Sequence, residues 1–93
     1  MSTTYQLIIP DVYSKLAGKF LKSHPELLKL YEKTLKLLEL NPYHPSLRLH
    51  RLKGKLQGLY SVSINLSYRI TLEFLIKDKQ IILINVGSHD SVY

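Results

Sequence analysis

Cysteine is absent from the sequence, and so is tryptophan. Without thiols there can be no disulfide framework and no thiolate metal site, so the fold has to rest on an apolar core. Long apolar runs are lacking as well: none approaches the roughly eighteen residues that a membrane-crossing helix requires. The first ten residues, Met1 to Pro10, lack both the charged start and the extended apolar stretch of a secretion signal. These absences lead us to expect a soluble, cytoplasmic protein with no membrane partner. Glycine is scarce, and Gly54 and Gly58 belong neither to a Gly-x-Gly-x-x-Gly turn after a strand nor to a loop ending in Gly-Lys-Ser/Thr. Nucleotide hydrolysis on a glycine-rich phosphate loop is therefore set aside. Between Leu40 and Leu72 no acidic residue occurs at all, while Arg48, Arg51, Lys53, Lys55 and Arg69 all fall in that window.

With 93 residues the chain has room for one domain, spanning 1–93, built from one sheet and two or three helices. Apolar residues make up 45% and charged residues 22%, a balance that supports a packed core rather than disorder. Thirteen Lys and Arg against seven Asp and Glu leave a formal charge of +6. A small domain with that excess attracts polyanions, and its concentration in one acid-free window points to a nucleic-acid surface.

Apolar periodicity divides the chain into elements. Tyr5 to Ile9 reads as a strand closed by Pro10. Asp11 is placed to cap a helix whose apolar positions are Val12, Leu16 and Phe20, with Lys15, Lys19 and Lys22 on a solvated face. His24-Pro25 ends that helix. Pro25 suits the first turn of a second one, in which Leu27, Leu28, Tyr31, Leu35 and Leu38 recur at helical spacing until Asn41-Pro42. The stretch from Asn41 to Gly58 reads as loop or short extended structure carrying most of the basic cluster, long enough to suggest function.

From Tyr60 the period becomes two. Tyr60, Val62 and Ile64 alternate with polar residues, as do Tyr68, Ile70, Leu72 and Phe74, and this predicts two half-buried strands. Pairing them antiparallel around Asn65-Leu66-Ser67 sets Val62 opposite Ile70 and Ser63 opposite Arg69, which puts Ser61, Ser63, Arg69 and Thr71 on one polar face. Lys77-Asp78-Lys79 turns the chain into a third strand, Ile81 to Val86, whose near-continuous apolar character suggests a central strand covered on both sides. The order strand, helix, helix, three strands predicts an α+β fold, β-α-α-β-β-β, with a helical hairpin on one face of a small, mainly antiparallel sheet.

Few residues are left to carry chemistry. His44 and His50 are six apart with no carboxylate nearby, which argues against a metal site, and no cofactor is expected. A reaction that remains open is phosphoryl transfer in which RNA supplies its own 2′-hydroxyl and the protein adds proton transfer and positive charge. Histidine, with an ordinary pKa of about 6.5, suits the first task, and the planar guanidinium of arginine suits the second. His50 lies in the basic loop, Arg69 on the polar sheet face and His89 beyond the last strand. Each also has a plainer reading: His50 as a strand-edge residue in a solvated basic run, Arg69 as the neutraliser of Glu73, and His89 as an exposed tail residue. His24 and His44 each precede proline and are better suited to turns. Tyr60, Tyr68 and Phe74 fall on the apolar face and read as core rather than as a base-stacking platform.

Four segments bear a family resemblance: His50-Arg51-Leu52-Lys53-Gly54, Gly58-Leu59-Tyr60-Ser61-Val62-Ser63-Ile64, Tyr68-Arg69-Ile70, and Val86-Gly87-Ser88-His89-Asp90-Ser91-Val92-Tyr93. In this order they resemble the RelE/ParE superfamily of toxin–antitoxin toxins, and the YafQ-like branch most of all. The likeness is strongest from about Leu47 to Tyr93; the helical hairpin agrees in arrangement only. The resemblance implies a RelE-like fold and an mRNA interferase that cuts mRNA on the 70S ribosome without metal, leaving a 2′,3′-cyclic phosphate and a 5′-hydroxyl. It also implies a cognate antitoxin as partner in a toxin–antitoxin hetero-oligomer. By position, the resemblance makes His50 a proton-transfer residue, the base in that chemistry, His89 the acid and Arg69 the phosphate-stabilising cation. Arg48, Arg51, Lys53 and Lys55 are expected to bind RNA, and Tyr93 matches a tail tyrosine that stacks on or orients it.

The chain departs from the pattern at Ser61, Ser63 and Ser67, where relatives have histidine, aspartate or lysine. Serine replaces neither a base nor a cation at neutral pH, so the two-histidine mechanism is the one expected here. Two other functions fit the same fold: inhibition of DNA gyrase, as in ParE toxins, and RNA binding without catalysis.

Overall fold

The computed structural model describes residues 4–88, so His89 and Tyr93 lie outside the described residues. The chain forms β1 (Gln6–Ile8), α1 (Asp11–Ser23), α2 (Leu28–Leu40), β2 (His50–Arg51), β3 (Tyr60–Ser63), β4 (Tyr68–Leu75) and β5 (Gln80–Ser88). Single 3-10 turns lie at Pro25–Leu27, Pro45–Leu47 and Gly54–Leu56. The sheet has five strands in the order β1-β5-β4-β3-β2. Only the β1–β5 pair is parallel. Both edge strands are very short, and Pro10 follows β1; short edges offer little template for pairing with another chain.

The β3–β4 hairpin has the register expected from its alternation, with Val62 opposite Ile70 and Ser63 opposite Arg69. Asn65 fixes the turn: its Oδ1 accepts from the backbone N–H groups of Ser67 (2.8 Å) and Tyr68 (2.9 Å). An asparagine that binds the backbone two and three residues on stabilises a loop of this length without help from the rest of the fold.

β5 is an interior strand, between β1 and β4, but its apolar run has a different cause from the one expected. Thr71 pairs with Asn85 and Leu72 with Leu83, so Ile84 is an extra residue in a β-bulge. The bulge reverses the alternation, which lets Ile81, Leu83 and Val86 all face the core while Ile84 stays exposed. The strand is thus covered on one face and only partly on the other.

Both helices pack on one sheet face, over a core that includes Tyr13, Leu38, Val62, Ile70, Leu72, Ile81 and Leu83. Fully burying an aliphatic side chain of this size contributes about 1.5–3 kcal/mol. The buried stripe of α1 is Tyr13, Ala17 and Phe20, not the expected Val12, Leu16 and Phe20: Val12 is 71% and Leu16 40% exposed. Tyr13 buries its hydroxyl by pairing with the Tyr31 hydroxyl of α2 at 2.7 Å, and the small Ala17 lies between it and Phe20 on the same buried stripe. Nor does Asp11 cap α1. Pro10 occupies that position without a side-chain bond, and Asp11 is the first helical residue, where its charge still complements the helix dipole. Leu27, in the turn before α2, is buried, as are Tyr31, Thr34 and Leu38 within the helix, while Leu28 is exposed.

His24, at the junction of the helices, does more than turn the chain. Its Nδ1 lies 3.0 Å from the Phe20 carbonyl and its Nε2 2.9 Å from the Tyr68 hydroxyl. A carbonyl only accepts, so in the neutral ring Nδ1 donates and Nε2 accepts from Tyr68. The ring also stacks on Phe20, tying the end of α1 to β4.

Candidate functional site

Because Val62 and Ile70 face the helices, the alternate residues of the sheet face outward. Pairing brings them into rows. His50 of β2 is opposite Ser61, Ser61 opposite Thr71, and Thr71 opposite Asn85. One step along the same face, Ser63 is opposite Arg69, and Arg69 opposite Gly87, which contributes no side chain. Two strand spacings and one same-face step separate the His50 and Arg69 backbones by roughly 12 Å. Two side chains of that length can close on a group the size of a phosphate from either side.

Local backbone features present His50. Arg48 has φ 51° and ψ 46°, a left-handed conformation that is costly outside glycine, and it turns the chain out of the Pro45–Leu47 turn toward β2. Its carbonyl lies 3.0 Å from His50 Nδ1. The ring therefore donates from Nδ1, and the neutral tautomer carries its lone pair on Nε2.

Beyond β2 the chain closes on itself through a bond from the Leu52 N–H to the Leu59 carbonyl at 2.9 Å. The two glycines that bracket the arm, Gly54 at φ 70° and Gly58 at φ 96°, adopt conformations that side-chain-bearing residues resist. Under this arm lies a cleft of about 470 Å³ lined by His50, Arg51, Leu52, Lys53, Lys55 and Leu56. Three exposed cations and a histidine thus surround an apolar floor of Leu52 and Leu56. Arg48 is exposed at the start of the same segment.

Of the residues singled out in the sequence, His50, Arg51, Lys53 and Lys55 meet at one cleft, and Arg69 shares the outer sheet face with His50. Two hydroxyls on that face carry a feature that the sequence did not reveal. Ser61 Oγ and Thr71 Oγ1 are buried without a hydrogen-bond partner, as is Arg69 Nε. Alternation placed these residues on the polar face, but their burial depends on tertiary cover that alternation does not report. Ser63 is committed elsewhere, donating to the Asn65 carbonyl at 2.7 Å. His44 stays in its turn, accepting from the Ser46 N–H. Among the described residues no three His, Asp or Glu side chains gather as a metal site would require.

No family profile matches the chain, and no curated protein matches it in sequence. Solved structures do match in shape. The DinJ-YafQ toxin–antitoxin complex of Escherichia coli superposes with a TM-score of 0.73 at 17% identity, over 97% of this chain and 98% of that one. A metal-bound toxin from Helicobacter pylori gives 0.75 at 20%, over 96% and 99%. The toxin–antitoxin complex RelBE2 from Mycobacterium tuberculosis gives 0.69 at 14%, over 94% and 100%. The chain has the RelE-like toxin fold. In this RelE-like domain the helical hairpin occupies one sheet face, and the other face carries the row of His50, Ser61, Thr71 and Asn85 beside the basic arm.

Proposed function

We propose that this protein is the toxin of a type II toxin–antitoxin pair and that it cuts mRNA on the bacterial ribosome. The observation that carries this reading is the placement of His50 and Arg69 on one sheet face beside a cleft walled by Arg51, Lys53 and Lys55. The fold match adds support, since YafQ and RelBE2 were both solved as toxin–antitoxin complexes. The cytoplasm, where ribosomes and mRNA meet, is the compartment this reading assigns.

In the proposed reaction the 2′-oxygen attacks the adjacent phosphorus while His50 Nε2 takes its proton. Arg69 donates to the non-bridging oxygens as negative charge builds on them. The bond from phosphorus to the 5′-oxygen then breaks, and the leaving oxygen takes a proton from an acid, the role proposed for His89. The products are a 2′,3′-cyclic phosphate and a 5′-hydroxyl, and no atom is left unbalanced. Arg48, Arg51, Lys53 and Lys55 hold the strand through its phosphates, and Tyr93 is proposed to contact a base. The cognate antitoxin is proposed to inhibit by covering this cationic surface.

Induction of the chain in a bacterial host tests the reading. Growth arrest with mRNA fragments bearing 2′,3′-cyclic phosphate ends is the expected result. Arrest with DNA breaks and intact mRNA would instead establish a gyrase inhibitor on the same fold.

A further inference from the structure

Buried polar atoms are nearly always hydrogen-bonded, so those that are not call for a physical reason. Three such atoms belong to neighbouring positions on the outer sheet face. Ser61 Oγ and Thr71 Oγ1 belong to residues directly opposite each other on β3 and β4, and Arg69 is the next same-face residue before Thr71. Ser61 is 0% and Thr71 2% exposed. Opposite residues hold their Cβ atoms about 5 Å apart, close enough for one oxygen atom to meet both hydroxyls. Arg69 Nε can only donate, and either hydroxyl can donate too. Three potential donors at neighbouring positions of one sheet face suit an acceptor with several oxygens.

We propose that Ser61, Thr71 and Arg69 form a phosphate-binding floor that takes non-bridging oxygens of an RNA phosphodiester, with the two hydroxyls as positioning residues for the group that His50 faces. The inference rests on the ribonuclease reading of this face and adds a binding role for two neutral side chains. The row itself gives the placement: His50 is opposite Ser61, so a phosphate on the floor lies one strand from the imidazole. The only carboxylate on β4 is Glu73, one same-face step beyond Thr71 and away from Arg69, which directs the anion toward the Arg69 end. Because both hydroxyls are closed off from solvent, the phosphate enters by displacing outer-face side chains, and Arg69, long and half-buried, is the adaptable one beside them.

Unpartnered hydroxyls make an unusual prediction. Replacing a buried hydroxyl that bonds to nothing removes a desolvation penalty, so Ser61→Ala and Thr71→Val should hold or raise the melting temperature. The same changes should weaken binding of uridine 3′-monophosphate about tenfold each, because bonds to a charged acceptor are the strong ones. Thr71→Ser, which keeps the hydroxyl, should restore most of the affinity. The experiment is titration of the full chain and these three variants with uridine 3′-monophosphate and with inorganic phosphate, followed by amide NMR shifts, alongside thermal melts.

Shifts at Ser61, Arg69 and Thr71 with both probes, lost in the Ala and Val variants, would support the floor. Lowered melting temperatures with unchanged binding would overturn it and show that the hydroxyls hold a structural water. Absence of binding by the parent chain would overturn it as well. The two readings fail separately: nucleotide binding at the floor with mRNA left intact would end the nuclease reading alone, and cutting by both hydroxyl-free variants at the parent rate and affinity would end the floor alone.

Discussion

Arg69 separates charge from geometry. Lysine in its place keeps the positive charge but loses the planar fork that grips two phosphate oxygens, whereas alanine loses both. Single-turnover cleavage of mRNA on ribosomes should therefore fall by about 10²–10³ for Arg69→Ala, with Arg69→Lys in between. Equal rates in all three proteins would show that Arg69 serves only the sheet. Residue types were readable from the sequence at this scale: His50 and Arg69 stand out as a proton carrier and a cation where acids are missing. Burial was not readable. Ser61 and Thr71 look like ordinary solvent-facing strand residues until the sheet is assembled, and only then are they enclosed and unpartnered.

Among the elements, the helical hairpin depends on one polar contact inside its core, the 2.7 Å bond between Tyr13 and Tyr31. Tyr13→Phe removes one partner and leaves the other hydroxyl buried and unsatisfied, at a cost of about 1–3 kcal/mol. The double variant with Tyr31→Phe removes both, so chemical denaturation should show it less destabilised than the sum of the singles. A simple sum would mean that the hydroxyls do not depend on each other.

The same pair sets an alkaline limit. Burial pushes both phenols above their ordinary value of 10.0. The folded state then holds protons that the unfolded chain releases, so the stabilisation is complete below about pH 10 and is lost as the pH rises past it. Denaturation midpoints should fall above that pH, and Tyr13→Phe/Tyr31→Phe should flatten the fall.

This contact also explains why the α1 stripe was misread. Val12 and Leu16 are more hydrophobic than Tyr13 and Ala17, and ranking by hydrophobicity alone picks them. What decides is that Tyr13 has a hydroxyl partner, which no pattern within α1 reveals. The β3–β4 hairpin was legible because its register and the Asn65 turn are local, whereas the bulge at Ile84 reflects a need to keep Val86 in the core.

For the whole molecule, charge and topology differ in how far they can be read. The acid-free window and its five cations were plain in the sequence, and the structure gathers Arg51, Lys53 and Lys55 with His50 at one cleft. The parallel pairing of β1 with β5 joins segments about seventy residues apart and was not legible, since no local pattern names a distant partner. If Arg48, Arg51, Lys53 and Lys55 each release a counterion, the logarithm of affinity for single-stranded RNA should fall with that of salt at a slope of roughly −3. Lys53→Gln/Lys55→Gln should bring it nearer to −1.5. An unchanged slope would move the RNA path off the basic arm.

The central claim is that the face holding His50 cuts mRNA on the ribosome. Primer extension on a defined mRNA in a reconstituted translation system, with and without ribosomes, tests it for the parent chain, His50→Ala and His89→Ala. The account predicts cuts by the parent only when ribosomes are present, and loss of about 10²–10⁴ in rate for each variant. Intact mRNA in every reaction, or cuts by His50→Ala at the parent rate, would contradict it.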